Sequence, residues 1–220
     1  MFLLKMGQQE HMEQFRRGLL YMNTLRYFRE LDGDQARADH FEGITHIFQP
    51  KDVIMKFSVP GLGEIVVDSR DLAAPTTLSR NSEHSCNLFC MHAITNPING
   101  TLFPAEYEWF GDSIVLIHNT QEFLNRVLAA CKAKNLSMKG SLIEYYDEEA
   151  YTGKLNRFKK PKQFAHQREF RIAVDSPGTE PLLLNIGDIT DITSEILAFS
   201  DACMKLTFSE DEARAANLSW

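Results

Sequence analysis

The segment Gln167-Arg168-Glu169-Phe170-Arg171 holds the most suggestive spacing in the chain. It opens a run, Glu169-Phe170-Arg171-Ile172-Ala173-Val174, that reads as a strand. Alternation along that strand puts Gln167, Glu169 and Arg171 on one face and Phe170 and Ile172 on the other. An amide, a carboxylate and a guanidinium on one face can line a cleft. The same pattern also fits a solvated strand face whose Glu–Arg pair carries little energy.

Glu169 is also the only acid in a basic stretch. Lys154, Arg157, Lys159, Lys160, Lys162, Arg168 and Arg171 give residues 154–171 a local charge of +6, in a chain whose net charge is -7. A basic island on an acidic protein points to a phosphate-bearing ligand at that place. Phe158, Phe164 and Phe170 are interleaved with the cations, and rings beside cations suit stacking on bases. A mobile, solvated basic loop has the same composition.

Arg37, Asp39, His40 and Glu42 form a second dense polar cluster in a turn-rich loop before Gly43. Arg37 can clamp a phosphate, and Asp39 and Glu42 can orient it or hold a hard cation; a capped, solvated loop is the plainer reading. His84, Cys86, Cys90 and His92 are all good zinc ligands. Their even numbering places them on one face of a strand, where at ~3.3 Å per residue they span roughly 26 Å, far more than one ion reaches. A buried strand with small apolar cysteines fits better. Gly61-Leu62-Gly63 reads as a hairpin turn, not as a phosphate loop.

The elements that must hold these groups follow in order. Residues 2–6 read as a first strand, 8–17 as a short helix with Met12 and Phe15 inward, and Gly18 as its C-terminal cap. Residues 19–25 read as a second strand, passing into a short helix or turn. Strands are expected over 43–49, 52–59, 63–68, 84–95, 113–118, 141–146 and 181–186, with 69–82 irregular. A helix over 121–135 is expected, capped by Thr120, with Phe123, Val127, Leu128 and Cys131 buried. Many strands, few helices and no βαβ rhythm predict an α+β fold with a split, mainly antiparallel sheet in one domain over 1–220.

With 44% hydrophobic and 24% charged residues, the chain reads as globular and cytoplasmic, with no membrane partner. Four cysteines in 220 residues do not make a disulfide scaffold.

Strand, short helix ending in Gly18, strand, and then a late strand bearing Glu169 in Q-x-E: this order resembles the mono-ADP-ribosyltransferases, especially bacterial toxins that modify nucleic acids, and uncharacterised phage-defence domains with a late E-x-R strand. The resemblance implies an ADP-ribosyltransferase-like fold and NAD as substrate. Glu169 matches the family's catalytic Glu, with Gln167 positioning the acceptor. Tyr21, Asn23 and Tyr27 are implied near the nicotinamide, and Lys5 or Arg37 at phosphate. Lys5 stands on the first strand where the family carries His or Arg. RNA or single-stranded DNA is the implied acceptor, held by Arg157, Phe158, Lys159, Lys160, Lys162 and Arg168, and an antitoxin protein is the implied regulator. Two alternatives remain: a nucleic-acid-binding module without catalysis, and a metal-dependent nuclease using Asp39 and Glu42.

Overall fold

A computed structural model of the chain describes residues 1–31, 39–79, 86–95, 110–177 and 179–198. β1 (Phe2–Gly7) leads through α1 (Gln9–Arg16) into β2 (Leu19–Thr24), and α2 (Leu25–Glu30) follows at once. Gly18 makes the first joint possible. Its φ is +86°, and a Cβ there would lie 1.8 Å from the Gly187 carbonyl oxygen. The Thr24 hydroxyl accepts the Tyr27 N–H at 3.1 Å and so caps α2.

The middle of the chain supplies β3 (Ile44–Phe48), the hairpin β4 (Met55–Val59) and β5 (Gly63–Val67), then β6 (Thr76–Ser79) and the long β7 (Cys86–Ile94). β6 pairs with β3, inside the stretch expected to be irregular. Its sequence, Thr76-Thr77-Leu78-Ser79, carries only one large apolar side chain to signal a strand. β8 (Ser113–Ile117) precedes α3 (Thr120–Ala133), the longest helix described. The α3 cap is Asn119, not Thr120: the Asn119 side chain accepts the Glu122 N–H at 3.1 Å. Phe123, Val127 and Cys131 are buried as expected, whereas Leu128 is exposed. β9 (Ser137–Leu142) and β10 (Glu144–Tyr146) divide what reads in sequence as one strand. β11 (Gly153–Lys154), β12 (Lys159–Pro161), β13 (Glu169–Asp175), β14 (Leu182–Asn185) and β15 (Leu197–Ala198) complete the chain. The result is α+β with mostly antiparallel pairings; β10 and β12 run parallel. No described helix is long and apolar enough to cross a membrane.

The central sheet has eight strands and is forked. β7 pairs along one edge with β13, from Cys86 opposite Asp175 to His92 opposite Glu169. On its other edge β7 meets two strands at its two ends. β1 takes Phe2–Leu4 against His92–Ile94, and β2 takes Asn23 and Thr24 against Leu88 and Asn87. β1 continues the sheet through β8 to β15, and β2 continues it through β14. Between the two attachments, residues 89–91 of β7 face a gap where no described strand pairs.

The sheet's two faces differ in chemistry. Phe89, Met91, Phe170, Ile172 and Val174 point toward α1 and α3 and form the main core with Met12, Phe15, Phe123 and Val127. Phe15 stacks on Phe89 at 5.7 Å and meets Phe123 edge-on at 6.0 Å. Each such ring or aliphatic group stabilises the fold by about 2 kcal/mol. The alternate residues, Leu88, Cys90, His92, Glu169, Arg171 and Ala173, face the other way. There Leu88 and Ala173 pack with Leu25 of α2, and Phe28 and Phe158 lie against them.

Candidate functional site

The fork opens a cleft of about 730 Å³ through the sheet. Because it passes between β1 and β2, residues from both faces line it. Met12, Phe15 and Phe89 come from the core side, and Tyr27, Phe28 and Glu169 from the other. This one cleft gathers Lys5, Tyr21, Asn23, Tyr27, Gln167 and Glu169, six residues singled out in the sequence. They come from β1, β2, α2, the 3₁₀ turn Lys162–Gln167 and β13. Arg37 lies outside the described residues.

Each lining residue is placed by its element. Lys5 reaches across the fork. Its ammonium donates to the Cys90 carbonyl oxygen at 2.9 Å and lies 4.3 Å from the centre of the Phe89 ring, a cation–π distance. It thereby binds a β7 carbonyl that faces the gap. Tyr21 and Tyr27 stand at the mouth, 54% and 40% exposed. Tyr27 meets Phe28 edge-on at 5.3 Å.

Gln167 is not on the strand, which begins at Glu169. Arg168 between them is left-handed, with φ 42° and ψ 48°, an unusual conformation for a residue with a Cβ. That kink still brings Gln167 and Glu169 together, on the far side of a shared cation. The Lys160 ammonium donates to Gln167 Oε1 at 3.0 Å and to Glu169 Oε2 at 3.0 Å. Arg171 closes the other side, its Nε donating to Glu169 Oε1 at 2.6 Å. Its Nη1 donates to Glu42 Oε1 at 2.7 Å and to the Arg157 carbonyl at 2.6 Å. Glu42 and Glu169 are 4% exposed, Lys160 5% and Arg171 2%. The Glu169 N–H donates to Tyr145 Oη at 2.9 Å.

Electrostatics follow from this arrangement. Burial opposes charge on Glu169. Arg171 and Lys160, with hydrogen bonds from Arg171 and Cys90, more than offset it and hold the carboxyl well below the usual carboxylate range. Glu42 has Arg171 as its main compensating cation, so burial wins and pushes it up to about 7. Its Oε2 is buried without a hydrogen-bond partner. Asp39 is buried too and raised by that burial, against the pull of Lys160. Burial pushes the Cys90 thiol up to about 12 and His92 down to about 4. His92 is therefore neutral at pH 7. Its Nδ1 lies 2.8 Å from the Gln167 carbonyl oxygen, which can only accept, so the proton sits on Nδ1.

Several expectations for the basic island are corrected. Lys160 and Arg171 are internal counter-ions and cannot meet a polyanion. Lys159 is paired with Glu144 at 2.9 Å, and Arg157 with Asp175. Phe164 and Phe170 are buried, and Phe158 packs against the Leu88–Ala173 cluster. Lys154, Lys162 and Arg168 remain exposed. Four of the island's seven cations, Arg157, Lys159, Lys160 and Arg171, are paired with buried or neighbouring carboxylates. Asp39 and Glu42, expected in a solvated loop, are part of that buried network. Among the described residues no cluster of His, Cys, Asp or Glu side chains is placed to hold a metal ion. His84 lies outside them.

In sequence Cys90 and His92 read as zinc ligands or as residues of a buried strand, and neither reading makes them part of this site. Their even parity with Glu169 and Arg171 was visible, but the strand pairing that makes them neighbours was not. Tyr145 and Phe28 gave no signal.

Comparison with protein-family models, with curated proteins and with solved structures finds no match to this chain.

Proposed function

We propose that the forked-sheet cleft binds NAD and that the protein transfers ADP-ribose from it, with nucleic acid as acceptor. The observation that carries this reading is the convergence of Lys5, Tyr21, Asn23, Tyr27, Gln167 and Glu169 on a single cleft. Its volume falls within the range of cofactor sites, about 300–1,000 Å³.

The chemistry fits the groups present. Breaking the bond from ribose to nicotinamide develops positive charge at the ribose C1′, and a carboxylate fixed in its ionised form stabilises that charge. Glu169 is held so by two cations. Its two oxygens have four acceptor sites; Arg171, Lys160 and the Cys90 thiol take three, which leaves one direction for a ribose hydroxyl. Tyr21, Tyr27 and Phe28 offer ring faces for the nicotinamide, and Lys5 offers a cation for the pyrophosphate. Neutral His92 and Gln167 line the cleft beside Glu169. Exposed Lys162 and Arg168 bound the turn that carries Gln167 and offer cations to a nucleic-acid acceptor there.

The test is incubation of the full chain with NAD labelled in its adenylate half, together with RNA or single-stranded DNA. Label on the nucleic acid supports the reading. Glu169→Gln is expected to lower the transfer rate by ~100-fold or more. Transfer unchanged by that substitution rejects it.

A further inference from the structure

Away from the cleft, β4 and β5 pair with each other and, among the described residues, with no other strand. The 3₁₀ turns Pro50–Asp52 and Ser69–Asp71 pack together at the base of this hairpin. The hairpin is therefore an arm that continues outward from the β3–β6 pair. Its register gives it two unlike faces. One carries Met55 opposite Val67, Phe57 opposite Ile65 and Val59 opposite Gly63, with no polar side chain. The other carries Lys56, Ser58, Glu64 and Val66. Phe57 is 50% exposed, Ile65 46%, and Leu62 at the tip 77%. A two-stranded hairpin by itself is marginally stable in water, and a sheet needs its apolar face covered. Here the centre of that face stays half open.

Charge selects what covers it. Residues 53–67 hold one cation, Lys56, and one anion, Glu64, and these pair with each other at 3.3 Å. The arm is thus neutral on a chain of net charge -7. A nucleic acid finds no spare cation on it, and a basic protein finds no spare anion. Two copies of an acidic chain repel each other over most of their surface, and a neutral apolar face is where they can meet.

We propose that the apolar face of the β4–β5 arm packs on the same face of a second copy, base to tip, about a two-fold axis. The axis lies between the two arms and crosses the strands at the Phe57–Ile65 row. Phe57 then meets Phe57 of the copy and Ile65 meets Ile65, as an isologous contact requires. Met55 falls over Val59 of the copy, and Val67 over Gly63. Large side chains so meet small ones, which is how packed layers interdigitate. A Cβ at Gly63 would meet nothing within 4 Å, which leaves room for Val67. Leu62 reaches the base of the other arm, where Ile54 is exposed. Base-to-tip packing also sets the two acidic bodies at opposite ends, whereas tip-to-tip packing crowds them at one end. The size of the face sets the strength. Five residues per strand at ~3.4 Å each, on strands ~4.8 Å apart, make a patch of roughly 17 by 10 Å. That is well short of the ~800 Å² that a standard interface takes from each partner. The dimer therefore dissociates with a Kd on the order of 10 μM.

The experiment is sedimentation of the purified full chain from ~1 to ~200 μM, a range that brackets this Kd. A shift from monomer to dimer across that range is expected. Phe57→Asp sets two carboxylates against each other at the axis and is expected to raise the Kd about tenfold or more, with the melting temperature of the monomer unchanged. Phe57→Lys is expected to do the same, and an equimolar mixture of the two variants to recover the dimer. A parent chain that stays monomeric throughout overturns the proposal, and so does a dimer that Phe57→Asp leaves as tight as before. A mixture no tighter than either variant alone overturns the base-to-tip register. Should the Phe57 variants fail to fold, Leu62→Asp at the exposed tip is read by the same loss of dimer, and an unchanged Kd overturns the proposal. A single-stranded RNA that binds a monomeric parent chain, and that Phe57→Asp or Leu62→Asp releases, overturns the second copy as the occupant of this face.

Discussion

Arg171 and Glu169 sit two residues apart on one strand face, and the Arg171 Nε–H donates to Glu169 Oε1 across 2.6 Å. The same guanidinium holds Glu42 at 2.7 Å. One side chain therefore ties the late strand to the loop before β3, and it does so with almost no exposure. Arg171→Met strands two buried carboxylates. It is expected to destabilise the fold by about 3–5 kcal/mol, measured by urea unfolding. Arg171→Lys is expected to recover little, because one ammonium lacks the planar fork that meets two carboxylates at once. A loss below about 1 kcal/mol for Arg171→Met contradicts the network as described.

The basic stretch separates into two kinds of cation. Lys160→Met removes the shared partner of Gln167 and Glu169 and is expected to cost about 3 kcal/mol. Lys162→Ala and Arg168→Ala alter exposed side chains and are expected to shift stability by no more than about 0.5 kcal/mol. If the acceptor is nucleic acid, these two substitutions lower its affinity and each reduces the salt slope by about one. Titration at several salt concentrations checks this, and unchanged slopes speak against that surface.

Tyr21 and Tyr27 line the mouth of the cleft and are half exposed, so the fold does not depend on them. Alanine at either site is expected to leave the melting temperature nearly unchanged and to raise the Kd for NAD about tenfold. Calorimetry reads both quantities. Equal affinity in the parent and both variants removes the aromatic wall from the site.

Opposing titrations shape the pH dependence of stability. The fold keeps His92 neutral, so its contribution is complete above its ordinary 6.5 and is lost as pH falls toward 4. Glu42 works in the other direction: the fold favours its protonated form, and that contribution is lost as pH rises from 4.5 to about 7. Each amounts to ~3 kcal/mol between its limits. The two nearly cancel between pH 4.5 and 6.5, and the parent chain is expected to show a flat stability there. Below 4.5, protonation of Glu169 and His92 acts in one direction and stability falls steeply. His92→Gln is expected to become more stable as pH drops from 6.5 to 4.5, and Glu42→Gln less stable. Melting curves across that range test the signs, and parallel curves for both variants contradict them.

The order of elements was legible because periodicity and punctuation carry it. Gly18 after the Met12/Phe15 helix marks the first turn, and the apolar run around Val174 marks β13. The pairing was not legible. Nothing local tells β7 to meet β13 on one edge and both β1 and β2 on the other, yet that fork creates the cleft. Burial of charge was equally hidden. Lys160 and Lys162 look alike in sequence, and only their tertiary neighbours make one a counter-ion and the other a surface group. Asp39 and Glu42 read as loop polarity for the same reason. Alternation alone places Gln167 on the strand, whereas the left-handed Arg168 breaks the alternation and Lys160 bridges the amide to Glu169.

The most direct test is nicotinamide release from NAD by the purified chain, compared with a Glu169→Gln variant shown to be folded by its melting curve. Release by the parent chain and a fall of ~100-fold or more in the variant is the expected result. Equal release from both, or none from the parent with nucleic acid present, contradicts the assignment of Glu169 and of the cleft it serves.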